Sequence, residues 1–515
     1  MMRRRARGTV TVFLALCCPL ITALLCTCLE GARLYALRAL LGQADASAMQ
    51  SVFAAYNGDL WEFYGLAGCE AGDGEEWLDE AEGYLYSYLV PSEGLLLRSG
   101  DRVGLISLQT EGEAVRFIDR GGSPFAESVL DYMEKAGLVF MVKNLLKRLG
   151  VKDEKSAETL RGTLERFTGD EKVSLEDVLQ SFSSLKKQAE EAQKAAEEAE
   201  KAARENGSQP ETPRGAEDGP GETGTVKPLQ VPIMSELQDM SALGIMSLIA
   251  DGNISVRSWR DPELPSAAAG KSGGQEKASV SFGEKLLLGE YIFHTMDFCG
   301  GIRMQGAKYE AEYVIAGGST EAEALERTAV QIMLIRTGLN LVYLMTDGDK
   351  LAAAESAAYA AAAAAGAPEL GKPLKYVLLS AWALGESVTD LRCLYQGGRV
   401  PLWKTAEDWS LSALSLTKAA PPAAQKGLYY EDYLRLLFCM GDSSEMLLRM
   451  MDVIEARIRL TDRSFRMSRL MVSAEITAEA RVEYLYLKLP WFRRLAGTGN
   501  EAVLQDKRSF RYGGG

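Results

Sequence analysis

An apolar segment near the N-terminus constrains this chain more than any other feature. Residues 8–29 contain no ionisable side chain other than cysteine. As a helix they would extend about 33 Å, enough to cross the hydrocarbon core of a bilayer. Four basic residues precede the segment, namely Arg3, Arg4, Arg5 and Arg7. The positive-inside rule therefore predicts a single-pass protein of the cell membrane, with its N-terminus in the cytoplasm and its C-terminal domain extracytoplasmic.

The predicted helix continues beyond the membrane. After Glu30, apolar residues recur at steps of three and four, which is typical of a helix with one buried face. They are Leu34, Leu37, Leu41, Ala44, Ala48, Val52 and Ala55. The first residues expected to end the helix are 57–58. Four aromatic residues lie around them: Tyr56, Trp61, Phe63 and Tyr64. We therefore expect a long rod, half in lipid and half outside, with the aromatic residues packed at its end.

Short motifs in this part have counterparts in a known module. They lie at residues 7–14 (RGTVTVFL), 30–33 (EGAR), 43–48 (QADASA) and 56–66 (YNGDLWEFYGL). In this arrangement the chain resembles the N-terminal module of TadE/TadG-like pseudopilins, which are minor components of the tight-adherence (Flp-type) pilus machinery. The resemblance implies a non-enzymatic structural or assembly component of a Tad/Flp-type pilus or secretion system.

The longer chain is similar to a family of uncharacterised envelope proteins from Gram-positive bacteria. Members carry such a module ahead of a large extracytoplasmic domain of unknown function. The motifs behind this similarity lie at residues 309–317 (YEAEYVIAG), 335–340 (IRTGLN), 382–390 (WALGESVTD) and 429–434 (YYEDYL). The similarity implies a location and a context for the protein, and no particular reaction.

Pilin-like precursors are cleaved after a glycine, which makes Gly8 and Thr9 the candidate processing site. The family pattern places a glutamate five residues into the mature chain, whereas this chain has Phe13 there. An uncleaved signal anchor is therefore favoured over processing by a prepilin peptidase. A cleaved secretory signal would need a clean small-x-small site after the apolar run. A lipoprotein anchor has four candidate cysteines but no convincing lipobox; they are Cys17, Cys18, Cys26 and Cys28.

The length, net charge and cysteines of the chain limit the number of domains and the kinds of ligand it can have. With 515 residues, 47% of them hydrophobic, the chain can form two or three domains with substantial cores. The net charge of −14 argues against nucleic acid or anionic lipid as a ligand. Outside the apolar segment the cysteines stand alone, which excludes a zinc ribbon and leaves both isolated disulfides and free thiols open. They are Cys69, Cys299, Cys393 and Cys439.

The expected fold class is α+β: the long N-terminal helix, then a mostly helical ectodomain with a small antiparallel sheet. Changes in composition divide the chain into five parts. They are residues 1–29, the basic tip and transmembrane helix; 30–170, the rod and a small α+β block; 171–230, a charged helix and flexible linker; 231–492, an α+β extracytoplasmic domain; and 493–515, a mobile tail. Glutamate–lysine pairs four apart predict the charged helix, and proline and glycine predict the linker.

Alternation of apolar and polar residues predicts the strands. The clearest covers residues 472–486, and we expect it to pair with a shorter strand at 309–315. Two more are predicted at 103–108 and 114–118, around a turn at 111–112. Helical periodicity predicts helices at residues 77–90, 123–149, 321–345, 352–365 and 376–392, and two more within 429–458.

One acidic pair is a candidate for chemistry. Glu386 and Asp390 are four apart and share a helical face, which would suit a cation or acid–base catalysis. A buried network with Arg336 or Arg392 is the simpler interpretation. The chain has one histidine, and it has no phosphate loop, dinucleotide fingerprint or GxSxG elbow. We therefore predict no enzyme activity, no catalytic or metal-binding residue and no cofactor.

Two functions remain, and neither involves nucleic acid. The favoured one is a pseudopilin-like subunit whose rod associates with other assembly proteins or with copies of itself through small residues. These are Ala44, Ala46, Ala48, Ala54 and Ala55. The alternative is an anchored surface module that binds a ligand or partner protein through Trp403 and Trp409.

Overall fold

The structure, a computed structural model, describes residues 3–72, 74, 76–90, 103–136, 257–269, 277–300, 308–364, 368–411, 427–488 and 500–512. The charged helix and linker predicted at 171–230 lie outside the described residues, as does the second half of the helix predicted at 123–149. The chain forms two compact units. Unit 1 comprises residues 1–132, 263–279 and 454–515, and unit 2 comprises residues 133–262 and 280–453.

Unit 1 combines helices with a four-stranded antiparallel sheet. The helices are α1 (Arg3–Ala54), α2 (Gly58–Tyr64), α3 (Glu76–Leu89), α4 (Ser123–Lys135) and α5 (Pro265–Ala269). The strands are β1 (Cys69–Glu70), β2 (Leu105–Arg116), β3 (Leu470–Glu483) and β4 (Glu501–Arg511). Central strand β3 has β2 along one edge, and β1 and β4 along the other. The sheet therefore joins the two ends of the chain.

The core of unit 1 lies between the sheet and two helices. Alternate residues of β3 are buried, as the sequence predicts, and they pack on α1 and α3; they are Ala474, Ile476, Ala478, Ala480 and Val482. The predicted stripe of α1 is also buried at Leu37, Leu41, Ala44, Ala48 and Val52. Ala55 is exposed, because α1 ends at Ala54. The expectation of one helix that continues past the apolar segment is confirmed.

Two predictions about the sheet are wrong. The strands predicted at 103–108 and 114–118 form one continuous strand, β2, and Gly112 lies opposite Ile476 rather than in a turn. A Cβ atom on Gly112 would lie 2.7 Å from the Trp77 ring, so glycine is needed there for close packing. The tail predicted to be mobile contains β4, whose Phe510 ring lies 4.4 Å from that of Phe53 on α1. Because β4 is a half-buried edge strand, its sequence is about as polar as that of a mobile tail.

Unit 2 is helical. Its helices are α6 (Phe282–Thr295), α7 (Glu310–Ala316), α8 (Glu321–Thr346), α9 (Gly348–Ala364), α10 (Gly371–Tyr395), α11 (Tyr430–Met440) and most of α12 (Ser443–Ile458). Helices α8, α9 and α10 pack on one another. The alanine-rich helix α9 makes this contact possible, since its small residues Ala354, Ala358 and Ala362 are buried. The helices predicted in this region are confirmed.

The strand predicted at residues 309–315 is wrong, and so is its pairing with β3. These residues form α7, and every side chain from Glu310 to Ile315 is buried. A short helix that is buried on all sides has no solvent-facing stripe, so its sequence carries no helical period. Glu310 and Glu312 are buried and accept hydrogen bonds from the backbone N–H groups of Asp297 and Cys299 at 2.9 and 2.8 Å.

Candidate functional site

The first part of α1 has the surface of a membrane span. Two helices among the described residues are long and apolar enough to cross a membrane, α1 and α8. Slightly more than half of the apolar stretch of α8 is buried in unit 2, as in the core helix of a globular protein, whereas that of α1 is uncovered. Large apolar side chains such as Phe13, Leu20 and Leu24 are exposed there. Of the two, α1 is therefore the candidate anchor.

Two hydroxyl groups in this part of α1 are satisfied within the helix. The hydroxyl of Thr22 donates to the carbonyl of Cys18 at 2.9 Å, and that of Thr27 donates to the carbonyl of Ala23 at 2.8 Å. Such bonds remove the cost of placing a hydroxyl in hydrocarbon. The helix also continues through Pro19. These features are compatible with a lipid environment.

The first charged residues after the apolar part fix α1 to the sheet. The carboxylate of Glu30 is buried and accepts hydrogen bonds from the backbone N–H groups of Leu485 and Tyr486, at 2.9 and 2.6 Å. Arg33, one turn further on, pairs with Glu30 and donates to the carbonyl oxygens of Val103 and Glu483, at 2.7 and 3.1 Å. We call these six residues the anchor clamp. It ties α1 to the ends of both β2 and β3.

A glycine makes room for the clamp. Gly104 has a φ of 60°, and a Cβ atom there would lie 3.0 Å from the Arg33 guanidinium. The left-handed conformation turns the chain so that the adjacent Val103 carbonyl faces Arg33. The clamp thus also depends on the residues just before β2.

The residues predicted for processing and helix association differ in their positions. Gly8 and Thr9 lie within α1, and cleavage between them stays a prediction. Ala44 and Ala48 are buried in the core with α3 and β3, so they do not lie on a free helix surface as expected. Ala46 is half-buried, and Ala54 and Ala55 are exposed. Association through these three stays a prediction.

In unit 2, four charged side chains form a buried ion network: Arg336, Glu386, Asp390 and Lys404. Arg336 donates to Asp390 at 2.9 Å and also to the carbonyl oxygens of Pro401 and Leu402, at 2.9 and 3.0 Å. Lys404 bridges the two acids, at 2.6 Å from Asp390 and in direct contact with Glu386. The simpler interpretation of the acidic pair is confirmed, with Arg336 as the partner.

The network is balanced in charge, with two cations and two carboxylates. Burial disfavours the charged form of Asp390, but Arg336 and Lys404 outweigh this effect and hold its pKa below its usual value. Glu386 also accepts the backbone N–H groups of Ser410 and Leu411, at 2.9 and 3.0 Å. The network therefore fastens residues 400–411 to α10, and these bonds occupy the carboxylate oxygens that catalysis would require.

The two predicted partner-binding aromatics lie in this fastened segment, in different environments. Trp409 is half-buried: its ring stacks on Tyr343 at 5.1 Å, and its indole N–H donates to the Leu411 carbonyl at 2.9 Å. Trp403 is 54% exposed, next to the buried Lys404. Trp409 is thus held by contacts within unit 2, and of the two rings only that of Trp403 is mostly exposed. Its role in binding stays a prediction.

A second buried polar group involves α7 and α11. Glu312 accepts the hydroxyl of Tyr430 at 2.9 Å, and that hydroxyl accepts from Tyr395 at 3.3 Å. The second carboxylate oxygen of Glu312 has no hydrogen-bond partner among the described residues. Burial raises the pKa of Glu312 to about 7 and that of Cys299 to about 12. The four cysteines outside the apolar segment are free thiols in the structure.

Sequence analysis missed Lys404 and the partners of Glu30. Lys404 lies in a loop with no period, and its partners Glu386 and Asp390 are on α10, so no local pattern connects them. In the sequence, Glu30 belongs to the EGAR motif at residues 30–33. As the first acid after a long apolar segment, it marks the end of the apolar part of α1.

Fold and site together define a protein with an apolar helix of membrane-spanning length, an α+β unit clamped to it, and a helical unit. Residues 226–482 match the model of a family of unknown function (DUF5702). None of the curated proteins and none of the solved structures shows a significant match to the chain. The similarity to an uncharacterised domain is thus confirmed, while the pseudopilin resemblance rests on the N-terminal motifs alone.

Proposed function

We propose that the protein is a single-pass membrane protein of the cell envelope that acts as a pseudopilin-like structural or assembly component of a Tad/Flp-type pilus or secretion system, and not as an enzyme. The observation that carries this proposal is the division of α1 into two parts. Its apolar first part is uncovered, and its second part is the core of a sheet unit. Because α1 is one continuous helix, a movement of its membrane-spanning part would also move the sheet unit.

The clamp supports the anchoring part of the proposal. If residues 8–29 cross the bilayer, Glu30 is the first acidic side chain outside the hydrocarbon. In the structure that carboxylate is enclosed by Arg33 and two backbone N–H groups. The basic residues before Gly8 favour a cytoplasmic N-terminus.

The proposal is tested by the N-terminus and the membrane partition of the protein from its native host. Envelope membranes would be washed with carbonate, and the protein then analysed by intact mass spectrometry, together with a fraction of sheared surface filaments. We expect it in the washed membranes. A chain beginning at Thr9 and present in the filaments would support pilin-like incorporation, and an intact chain confined to membranes would support an assembly role. A soluble chain that begins after Leu29 would overturn the proposal.

A second candidate function rests on Trp403. We infer that, if the ectodomain binds a partner, this 54% exposed ring contributes to the contact. Trp403→Ala would then weaken capture of the partner from envelope extracts without a change in the melting temperature. Trp409→Ala is the matched control, because it removes a ring stacked on Tyr343 and should lower the melting temperature. Unchanged capture by Trp403→Ala would contradict this candidate.

A further inference from the structure

We propose that unit 1 rests directly on the extracytoplasmic membrane surface and inserts three side chains into the lipid headgroup layer. These side chains, the interfacial collar, are Tyr35, Leu485 and Tyr486. The inference rests on the proposed anchoring by α1 and adds a second contact with lipid, made by the sheet unit.

The depth of the collar follows from the clamp. With residues 8–29 in the hydrocarbon, Glu30 lies at its boundary. Hydrogen bonds of 2.9 and 2.6 Å then hold Leu485 and Tyr486 at the same level. Tyr35 is about 7.5 Å further along α1 than Glu30. The headgroup layer is about 5–8 Å thick on each side of a bilayer, so all three residues fall in or beside it.

The chemistry of the collar suits this layer. Tyr35 is 79% exposed, Leu485 41% and Tyr486 39%, so Tyr35 is largely uncovered and the other two side chains are partly uncovered. Tyrosine is enriched at membrane interfaces because its ring is apolar and its hydroxyl is polar. The collar carries no charge of its own and needs no anionic lipid, in agreement with an acidic chain. Continuity with the apolar part of α1 identifies the occupant of this surface as lipid rather than a second copy of the chain.

The collar would complement the clamp. The clamp fixes the sheet to α1, and the collar would fix the depth of both in the bilayer. Because the clamp uses the backbone of residues 485 and 486, their side chains can be replaced without loss of its hydrogen bonds.

The test is photo-crosslinking of the full-length protein in nanodiscs of phosphatidylcholine. p-Benzoylphenylalanine replaces Tyr486 in one variant, Leu20 of the apolar part in a second, and Tyr56 in a third. Tyr56 is the matched control: it is 47% exposed but lies just past the end of α1, which is about 36 Å beyond Glu30. After irradiation, intact mass spectrometry measures the fraction of each chain that carries a phospholipid.

We expect lipid adducts at positions 20 and 486, with at least about a fivefold excess at 486 over 56. An adduct at 20 but none at 486 would overturn the collar and leave the anchor intact. Protein–protein adducts at 486, or equal lipid adducts at 486 and 56, would also overturn the collar. No lipid adduct at position 20 would instead contradict the anchoring itself. Near-ultraviolet circular dichroism of each variant confirms that unit 1 is folded.

Discussion

The carboxylate of Glu30 accepts a hydrogen bond of 2.6 Å from the backbone N–H of Tyr486, 456 residues further along the chain. The end of the apolar part of α1 is thereby joined to the end of β3. Separation of the two would break the hydrogen bonds from Leu485 and Tyr486 to Glu30, and also those from Arg33 to the Val103 and Glu483 carbonyls. The sheet unit is therefore fixed to the candidate membrane segment by direct contacts, and no flexible linker separates the two.

The clamp predicts the effect of Glu30→Ala. Without the carboxylate, the N–H groups of Leu485 and Tyr486 lose their acceptor, and we expect their protection from hydrogen exchange to fall at least about tenfold, equivalent to about 1.4 kcal/mol. Hydrogen exchange with mass spectrometry of the full chain in nanodiscs measures this change. Arg38→Ala is the control, because Arg38 is exposed on the same helix. Unaltered protection in Glu30→Ala would show that the clamp contributes little.

The buried ion network predicts a large effect of Arg336→Met. The variant leaves Asp390 buried beside a single cation, and loss of one partner of a buried pair costs about 3–5 kcal/mol. Denaturant unfolding followed by tryptophan fluorescence reports the change. Lys375→Met is the matched control: its partner Glu355 is half exposed, so its loss should cost less than about 1 kcal/mol.

A second substitution separates charge from packing at this site. Arg336→Met combined with Asp390→Leu removes the excess negative charge, and Lys404 keeps Glu386 as its partner. The double variant should therefore be more stable than Arg336→Met alone. A double variant that is less stable would mean that the hydrogen bonds of the network outweigh the cost of burying its charges.

Periodic elements of the fold could be predicted from the sequence. The buried stripe of α1, the alternation in β3 and the apolar faces of α8 and α10 each repeat a single environment over several turns or residues. In such segments the local pattern reports directly which side faces the core. The acidic pair on α10 was predictable for the same reason, because a spacing of four places Glu386 and Asp390 on one face.

Elements whose environment is set by distant residues could not be predicted. The acids of α7 can be buried because their carboxylates accept hydrogen bonds from the backbone N–H groups of Asp297 and Cys299. Nothing in residues 309–315 indicates these contacts. Gly112 suggested a turn, but its role is to accommodate Trp77 of α3. The polar strand β4 needs α1 and β3 to define its buried side. In each case the missing information was a contact with a different segment of the chain, from 13 residues away for α7 to more than 400 for β4 and α1.

Burial of Glu312 predicts a pH dependence of stability. Its pKa is raised from 4.5 to about 7, so between these values the folded protein holds a proton that the unfolded chain has released. The free energy of unfolding should therefore fall as pH rises through this range, by up to about 3 kcal/mol, and then level off. Glu312→Gln keeps an acceptor for Tyr430 and cannot ionise. It should reduce the slope and be more stable than the parent at pH 8.

Glu323 on α8 provides the control for this pH dependence. Hydrogen bonds from Ser319 lower its pKa, so its contribution to stability is present above its usual value and is lost in more acidic solution. Glu323→Gln should lower stability equally at pH 6 and pH 8 and leave the slope between them unchanged. Denaturant midpoints at pH 6 and pH 8 measure both effects. If stability falls with pH as steeply in Glu312→Gln as in the parent, Glu312 is not the group responsible for the pH dependence.

The pairing of the strands predicts that residues 226–482, which match the family, cannot form the complete sheet of unit 1. All of central strand β3 except its last residue, Glu483, lies within residues 226–482, but its partners β2 and β4 lie outside that match. Truncation after Lys488 keeps the three clamp residues at the end of β3, namely Glu483, Leu485 and Tyr486, and removes β4. It would expose an edge of β3 and uncover Phe53, whose ring packs on Phe510 and on Tyr512.

We expect this truncated chain to lose the hydrogen-exchange protection of β3 and to aggregate, since an unpaired apolar edge favours association between chains. Truncation after Tyr512 is the matched control, because it removes only three glycines and leaves β4 paired. Exchange of the β3 amides and size-exclusion chromatography in detergent measure both effects. A chain ending at Lys488 that remains monodisperse, with β3 protected as in the parent, would show that α1, α3 and β2 are sufficient to hold the central strand.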